Sequence, residues 1–199
     1  MGAITQLLTV EEFRKLPGDE GAMSRELRHG KAVEIVRPKL KHSLIQHRTR
    51  DLLRAIAPPG AFAGVEVAFR ALPEYDLRVA DVAYVSAARV ASADPEDNIH
   101  GAPDLVIEVL SPSNTVSEMY DREQLCLENG AREFWALDPD RCQVRVSSPD
   151  GHVPIARARR FRYGCLAAPR FQWTQSSITN HANPATRFSP RSTGFGLLL

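Results

Sequence analysis

Two acids stand where apolar side chains would be expected. In RVADVAYV, Asp81 is flanked by Val79, Val82, Ala83 and Val85; in PDLVIEVLSPS, Glu108 is flanked by Val106, Ile107, Val109 and Leu110. Apolar, β-branched runs of about four to eight residues predict core strands. An unpaired ionised carboxylate in such a strand is strongly unfavourable unless a metal, a cation or hydrogen bonds compensate it. Side chains alternate along a strand, so Glu108 shares a face with Val106 and Leu110, and the backbone carbonyl of Val109 stays near the same place. If Asp81 lies on a neighbouring strand, two carboxylates and that carbonyl could hold Mg²⁺ or Mn²⁺ and leave positions open for water and a phosphate oxygen. Metal-assisted phosphodiester hydrolysis is one reaction such a site serves. The pattern alone is weak, because many strands carry one acid at an edge.

The elements that must position these acids follow from periodicity. Thr9 and Glu12 make a capping box for a short helix over EEFRKL, stopped by Pro17-Gly18. RELRHGKAVEIV predicts a hairpin turning at His29-Gly30. HSLIQHRTRDLLRAIA places Leu44, Ile45, Leu52, Leu53 and Ile56 near one helical face and ends at Pro58-Pro59-Gly60. Strands are expected around GVEVAFRAL, LRVADVAYV and DLVIEVL, then a helix over TVSEMYDREQLCLEN with Gly130 at its end, then a hairpin of EFWALD and QVRVSS. The order predicts an α/β (α+β) domain, a mixed sheet with helices against it.

Composition bounds the rest. A chain of 199 residues, 43% hydrophobic and 25% charged, can bury one ordinary core. No apolar run approaches the roughly 20 residues of a membrane span, and the first residues lack the basic segment of a secretory leader. Cys126, Cys142 and Cys165 are odd in number and widely spaced, which argues against a disulfide framework and a structural zinc site and for a reducing cytoplasm. The net charge of +1 hides an asymmetry: residues 1–150 carry 18 basic and 24 acidic side chains, whereas residues 151–199 carry seven arginines and no acid. The composition changes near Gly151. We expect a single domain over 1–165 and a basic, poorly structured tail over 166–199, either an arm drawn to phosphates or a plain extension.

The sequence also resembles a known family. PDLVIEVLSPSNT followed by CLENGAREFWALDPDRCQVRV is similar to the Uma-two family of restriction endonucleases within the PD-(D/E)XK superfamily. RELRHGKAVEI resembles the family's Glu-Leu-x-x-Gly-Glu hairpin, RVADVAYV its Arg-x-Pro-Asp-Val strand and VIEVLSPS its Glu-x-Leu-Ser-Pro-Ser turn. The resemblance implies a restriction-endonuclease-like core, a central mixed β-sheet flanked by helices, acting on DNA with Mg²⁺ or Mn²⁺. It puts Glu26, Asp81 and Glu108 on the family's acidic positions, with Asp81 and Glu108 as metal ligands. The family's motif lysine lies eight residues before the helix-ending glycine, which here is Arg122. Arginine keeps the charge but does not titrate and presents a planar fork, so a protein that binds nucleic acid with weakened or lost cleavage is the alternative. Ala80 replaces the family's proline, a milder change. A homodimer cutting two strands fits nuclease geometry.

Other residues have plainer readings. Asp104 is expected to satisfy a turn, Ser111-Pro112-Ser113-Asn114 to cap a helix, and Phe134 and Trp135 to pack in the core. His42 and His47, spaced i, i+5, suit solvent or DNA better than a shared metal. Lys39, Lys41, Arg48, Arg50 and Arg54 make either a phosphate-facing stripe or a solvated face. Arg122 itself could merely pair with Glu118 or Glu123 on the helix surface.

Overall fold

The computed structural model describes residues 7–17, 23–157, 159–161 and 164–166. The tail expected beyond Leu166 lies outside them. Helix α1 (Val10–Phe13) begins with the expected box: Glu12 N donates to Thr9 Oγ1 at 3.2 Å and Thr9 N to the Glu12 carboxylate at 2.8 Å. Strands β1 (Met23–Arg28) and β2 (Lys31–Val36) form a separate hairpin. Its turn holds His29 at φ 47° and Gly30 at φ 74°, the left-handed pair that a two-residue hairpin needs. A Cβ at Gly30 would also lie 2.6 Å from Leu7 Cβ, so only glycine fits. Leu27 and Leu77 exchange two backbone hydrogen bonds of 3.0 Å, which hook the hairpin onto the chain entering β4.

Seven strands build the main sheet among the described residues, in the order β5-β3-β4-β6-β7-β8-β9. They are β3 (Phe62–Arg70), β4 (Arg78–Val85), β5 (Ile99–His100), β6 (Leu105–Val109), β7 (Glu133–Asp138), β8 (Gln143–Ser148) and β9 (Gly151–Arg157). β6 and β7 run parallel and are joined through helix α4 (Val116–Glu128); β3, β4 and β6 pair antiparallel, as do β7, β8 and β9. This mixed sheet fits the expected fold class. The short helix α3 (Ala87–Ser92) and strand β5 were not anticipated; neither has a long enough apolar period to be read.

Period-2 alternation sorts the sheet into two packed faces. Helix α2 (Leu40–Ile56) lays Ile45 and Leu53 against Val82, Ile107, Val109, Trp135 and Leu137. α4 lays Met119, Leu125 and Cys126 against Ala83, Val106, Phe134 and Ala136. Every residue of β6 is buried, which explains why it is apolar except at Glu108 and makes it a strand on which an unpaired charge is costly. Each fully buried Ile, Leu or Phe contributes about 1.5–3 kcal/mol.

Three expectations need correction. Leu52 and Ile56 do not join the buried face of α2; they are 41% and 60% exposed, while Gln46 and Thr49 are buried. The reason lies opposite: the sheet presents Asp81 to that turn of the helix, and a polar side chain must meet it. The stretch after Gly151, inside the expected domain, is also given no strand by the sequence pattern. Gly151–Arg157 adds the edge strand β9 to β8, and β10 (Arg159–Phe161) pairs with β11 (Gly164–Leu166). Backbone pairing, which needs no acids and little hydrophobicity, placed it there. Cys142 is disulfide-bonded, although Cys126 is a buried free thiol; spacing in sequence carried no trace of a pairing made by the fold.

Candidate active site

Asp81 sits where both ladders of β4 open. On one side the pairs Val65–Val82 and Val67–Ala80 flank it, and the residue opposite it, Glu66, is held at φ 51° instead of pairing. On the other side the ladder to β6 stops at Val82–Ile107, one step short of Glu108. The Val109 N–H is thereby left without a strand partner, and it donates to Asp81 Oδ2 at 2.7 Å. Gln46 Nε2 donates to Asp81 Oδ1 at 2.9 Å and also to the Glu66 carboxylate. His42, one turn earlier on α2, brings Nε2 to 3.3 Å from Asp81 Oδ2 and 3.0 Å from the Val109 carbonyl oxygen. Burial works to lower the His42 pKa, but the hydrogen bond and charge of Asp81 outweigh it and hold the imidazole above its ordinary value. Glu66 is pushed up, first by burial and then by the like charge of Asp81.

Glu108 points the other way, to α4. Arg122 Nη1 donates to Glu108 Oε1 at 3.0 Å and to the Val79 carbonyl at 2.9 Å, while its Nη2 donates to both Glu26 oxygens at 2.7 and 2.5 Å. Glu26 also accepts from Val79 N at 2.9 Å and from Arg28 Nε at 2.8 Å. All three of Glu26, Glu108 and Arg122 are buried. Burial raises the Glu26 pKa, yet Arg122, Val79 N–H and Arg28 together bring it below its ordinary value. Glu108 goes up instead: burial dominates, the charges of Asp81 and Glu26 add to it, and the single bond to Arg122 is not enough to reverse it. Glu26 therefore holds its charge, and Glu108 is the acid that takes a proton more readily. Among the described residues the hydrogen bond to the Glu108 carboxylate comes from Arg122 and engages Oε1.

The structure thus joins Glu26, Glu108 and Arg122 directly and sets Asp81 across the strand junction from them, in contact with other partners. Asp81 takes its side-chain partners from α2 and Glu108 takes its partner from α4. Arg122 does not pair on the helix surface: Glu118 completes the α4 capping box with Thr115 and pairs with Arg28, and Glu123 pairs with Arg145. Thr115 is the cap, one residue past the Ser111–Asn114 stretch expected there. Asp104 Oδ2 accepts from Ser86 N at 2.9 Å, and Phe134 and Trp135 are core residues. His47 contacts the Ser43 carbonyl on the exposed side of α2; Lys41 pairs with Asp140 and Arg50 with Asp51. Gln46 and Glu66 were missed, though Glu66 carried the signal that marked Asp81, an acid inside an apolar strand.

Among the described residues no three His, Cys, Asp or Glu side chains stand together closely enough to hold a metal ion. The donors present are two carboxylates and one carbonyl. This is hard-oxygen chemistry, and it fits a cation that keeps several waters. No helix among the described residues is long and apolar enough to cross a membrane.

A sheet opened beside paired acids, with helices on both faces, is the framework of a nuclease fold. The Uma2 family, described as a putative restriction endonuclease, matches residues 10–172, and the chain belongs to that family. A solved structure titled as a putative nuclease belonging to DUF820, from Anabaena variabilis, matches with 27% identity and a TM-score of 0.61, over 75% of this chain and 84% of that one. No curated protein matches.

Proposed function

We propose that the chain is a divalent-cation-dependent DNA endonuclease, with Asp81, Glu108 and the Val109 carbonyl as the cation's protein ligands. The observation that carries this is the opened β4–β6 junction, which leaves two acids and one carbonyl around a gap. When bound, Mg²⁺ or Mn²⁺ would supply Lewis acidity and a more acidic water for attack on a phosphodiester. The chain's own residues set the stage. Val109 N–H and Gln46 fix the Asp81 carboxylate from two sides. Arg122 fixes one Glu108 oxygen on the α4 side of the junction, and Glu26 holds Arg122 with a two-oxygen grip. Arg54 on α2 and Lys39 at its N-cap are exposed and give phosphates a positive approach. A dimer that cuts both strands belongs to the same proposal. So does a cytoplasmic location, against which the Cys142 disulfide is the one observation.

A second reading has its own support. Arg122 already serves two carboxylates and a carbonyl, so it has little charge left for a transition state, and the fold could bind DNA without cutting it. Plasmid nicking separates the two. Nicking that needs Mg²⁺ or Mn²⁺ and vanishes in Asp81→Ala supports the endonuclease; retarded plasmid that is never nicked supports the binding protein. Nicking unchanged in Asp81→Ala contradicts the proposed site.

A further inference from the structure

Resting on the proposed function, we propose that His42 is a positioning residue: its Nε2–H stands in for the β4 backbone at the open end of β6 and holds the Val109 carbonyl and the Asp81 carboxylate as a preformed pair. The course of β6 creates the need. Leu110 N donates to the Leu137 carbonyl of β7 at 2.8 Å, so the N–H and C=O of Val109 point to the opposite edge, toward β4. The ladder to β4 has already stopped at Val82–Ile107, and neither group finds a strand partner there. Side chains take both. The N–H donates to Asp81 Oδ2 at 2.7 Å, and the C=O faces His42 Nε2 at 3.0 Å. The same Nε2 lies 3.3 Å from Asp81 Oδ2, which closes a ring of three contacts around one residue of β6.

The surroundings of the imidazole fix where its proton lies. Nε2 has two acceptors within reach, whereas Nδ1 is buried and has no hydrogen-bond partner among the described residues. The proton therefore sits on Nε2, which donates to the two oxygens and has no lone pair to offer a cation. His42 thus acts through the proposed ligands and is not one of them. A carbonyl oxygen carries two lone pairs and a carboxylate about four, so each can accept from His42 and still face an ion. Gln46, one turn further along α2, holds Asp81 Oδ1 at 2.9 Å, so one helix face fixes both oxygens of the aspartate. His47, by contrast, faces away and contacts the Ser43 carbonyl.

Histidine ¹⁵N magnetic resonance of the full chain, first without metal and then with Mg²⁺, tests this without relying on activity. The His42 signal, identified by its absence in His42→Gln, should show the proton on Nε2 in both states and a scalar coupling across the hydrogen bond to the Val109 carbonyl carbon. A ring that merely packs would show no such coupling. Mn²⁺ titration is the second arm. His42→Leu should weaken binding by about 10–100-fold, the range for hydrogen-bond partners of metal ligands. His42→Gln, whose side-chain N–H can take the place of Nε2–H, should recover most of that loss, and His47→Leu should cause none. A proton on Nδ1 alone, a missing coupling, unchanged Mn²⁺ binding in His42→Leu, or no recovery in a folded His42→Gln overturns the His42 role and leaves the cation site standing. Absence of Mn²⁺ binding in the wild type overturns both.

Discussion

On the α2 side of the β4–β6 opening, a partly buried aspartate meets a buried glutamine and a partly buried histidine; on the α4 side, two buried glutamates share one arginine. The first cluster uses neutral or titratable partners and leaves its charges near water. The second uses a cation that never titrates, and it neutralises its acids where water does not reach. The difference assigns different work to the two sides. The α4 cluster is fixed structure that sets the position of Glu108, and its disruption should appear first as instability. The α2 cluster is adjustable, and its disruption should appear first as lost cation binding.

The largest expected effect is on the α4 side. Arg122→Ala leaves Glu26 and Glu108 buried without their shared cation and should lower stability by about 3–5 kcal/mol, measured by urea unfolding. Arg122→Lys should lose less stability and retain or raise nicking, because an ammonium is a more compact charge that can orient water. Equal nicking rates in both variants would remove Arg122 from the chemistry. Next comes Asp81→Ala. It leaves the Val109 N–H without its acceptor, a loss of about 1–3 kcal/mol, but it should abolish Mn²⁺ binding altogether. If its stability loss exceeded that of Arg122→Ala, the division of labour drawn above would be reversed.

A smaller effect is expected from pH. The folded state raises the Glu108 pKa, so it binds that proton more tightly than the unfolded chain does. The resulting stabilisation is complete below the ordinary glutamate value and is lost as pH rises through the raised one. In EDTA, Glu108→Gln should remove this part of the stability decline above the ordinary glutamate range; an unchanged pH profile would show that Glu108 is ionised in the fold throughout. The smallest effect belongs to the exposed α2 cations. Lys39→Ala and Arg54→Ala should leave stability alone and each reduce the salt slope of DNA binding by about one. Unchanged slopes would make this stretch only a solvated face.

Much of the scaffold was legible because it is local. Capping boxes, the His29-Gly30 turn, the Gly130 stop and the period-2 strands each lie within a few residues of chain. Asp81 and Glu108 were legible as acids in apolar strands. The sequence did not show where each would point, because that depends on where the ladder between β4 and β6 ends. Arg122 was reached by counting from a family pattern, but its grip on Glu26 spans 96 residues and has no local signature. Glu66 was passed over because its role rests on a backbone angle that no side-chain pattern announces. Strand β9 was hidden by composition, since an edge strand can be held by backbone pairing alone.

The central claim is that acids approached from opposite faces of the sheet act on one cation. Calorimetric titration of Mn²⁺ into the wild type, Asp81→Ala and Glu108→Ala, each checked for cooperative unfolding, tests it most directly. The account predicts one site in the wild type and none in either variant. A folded variant that still binds Mn²⁺ with wild-type affinity would show that the two sides do not share an ion.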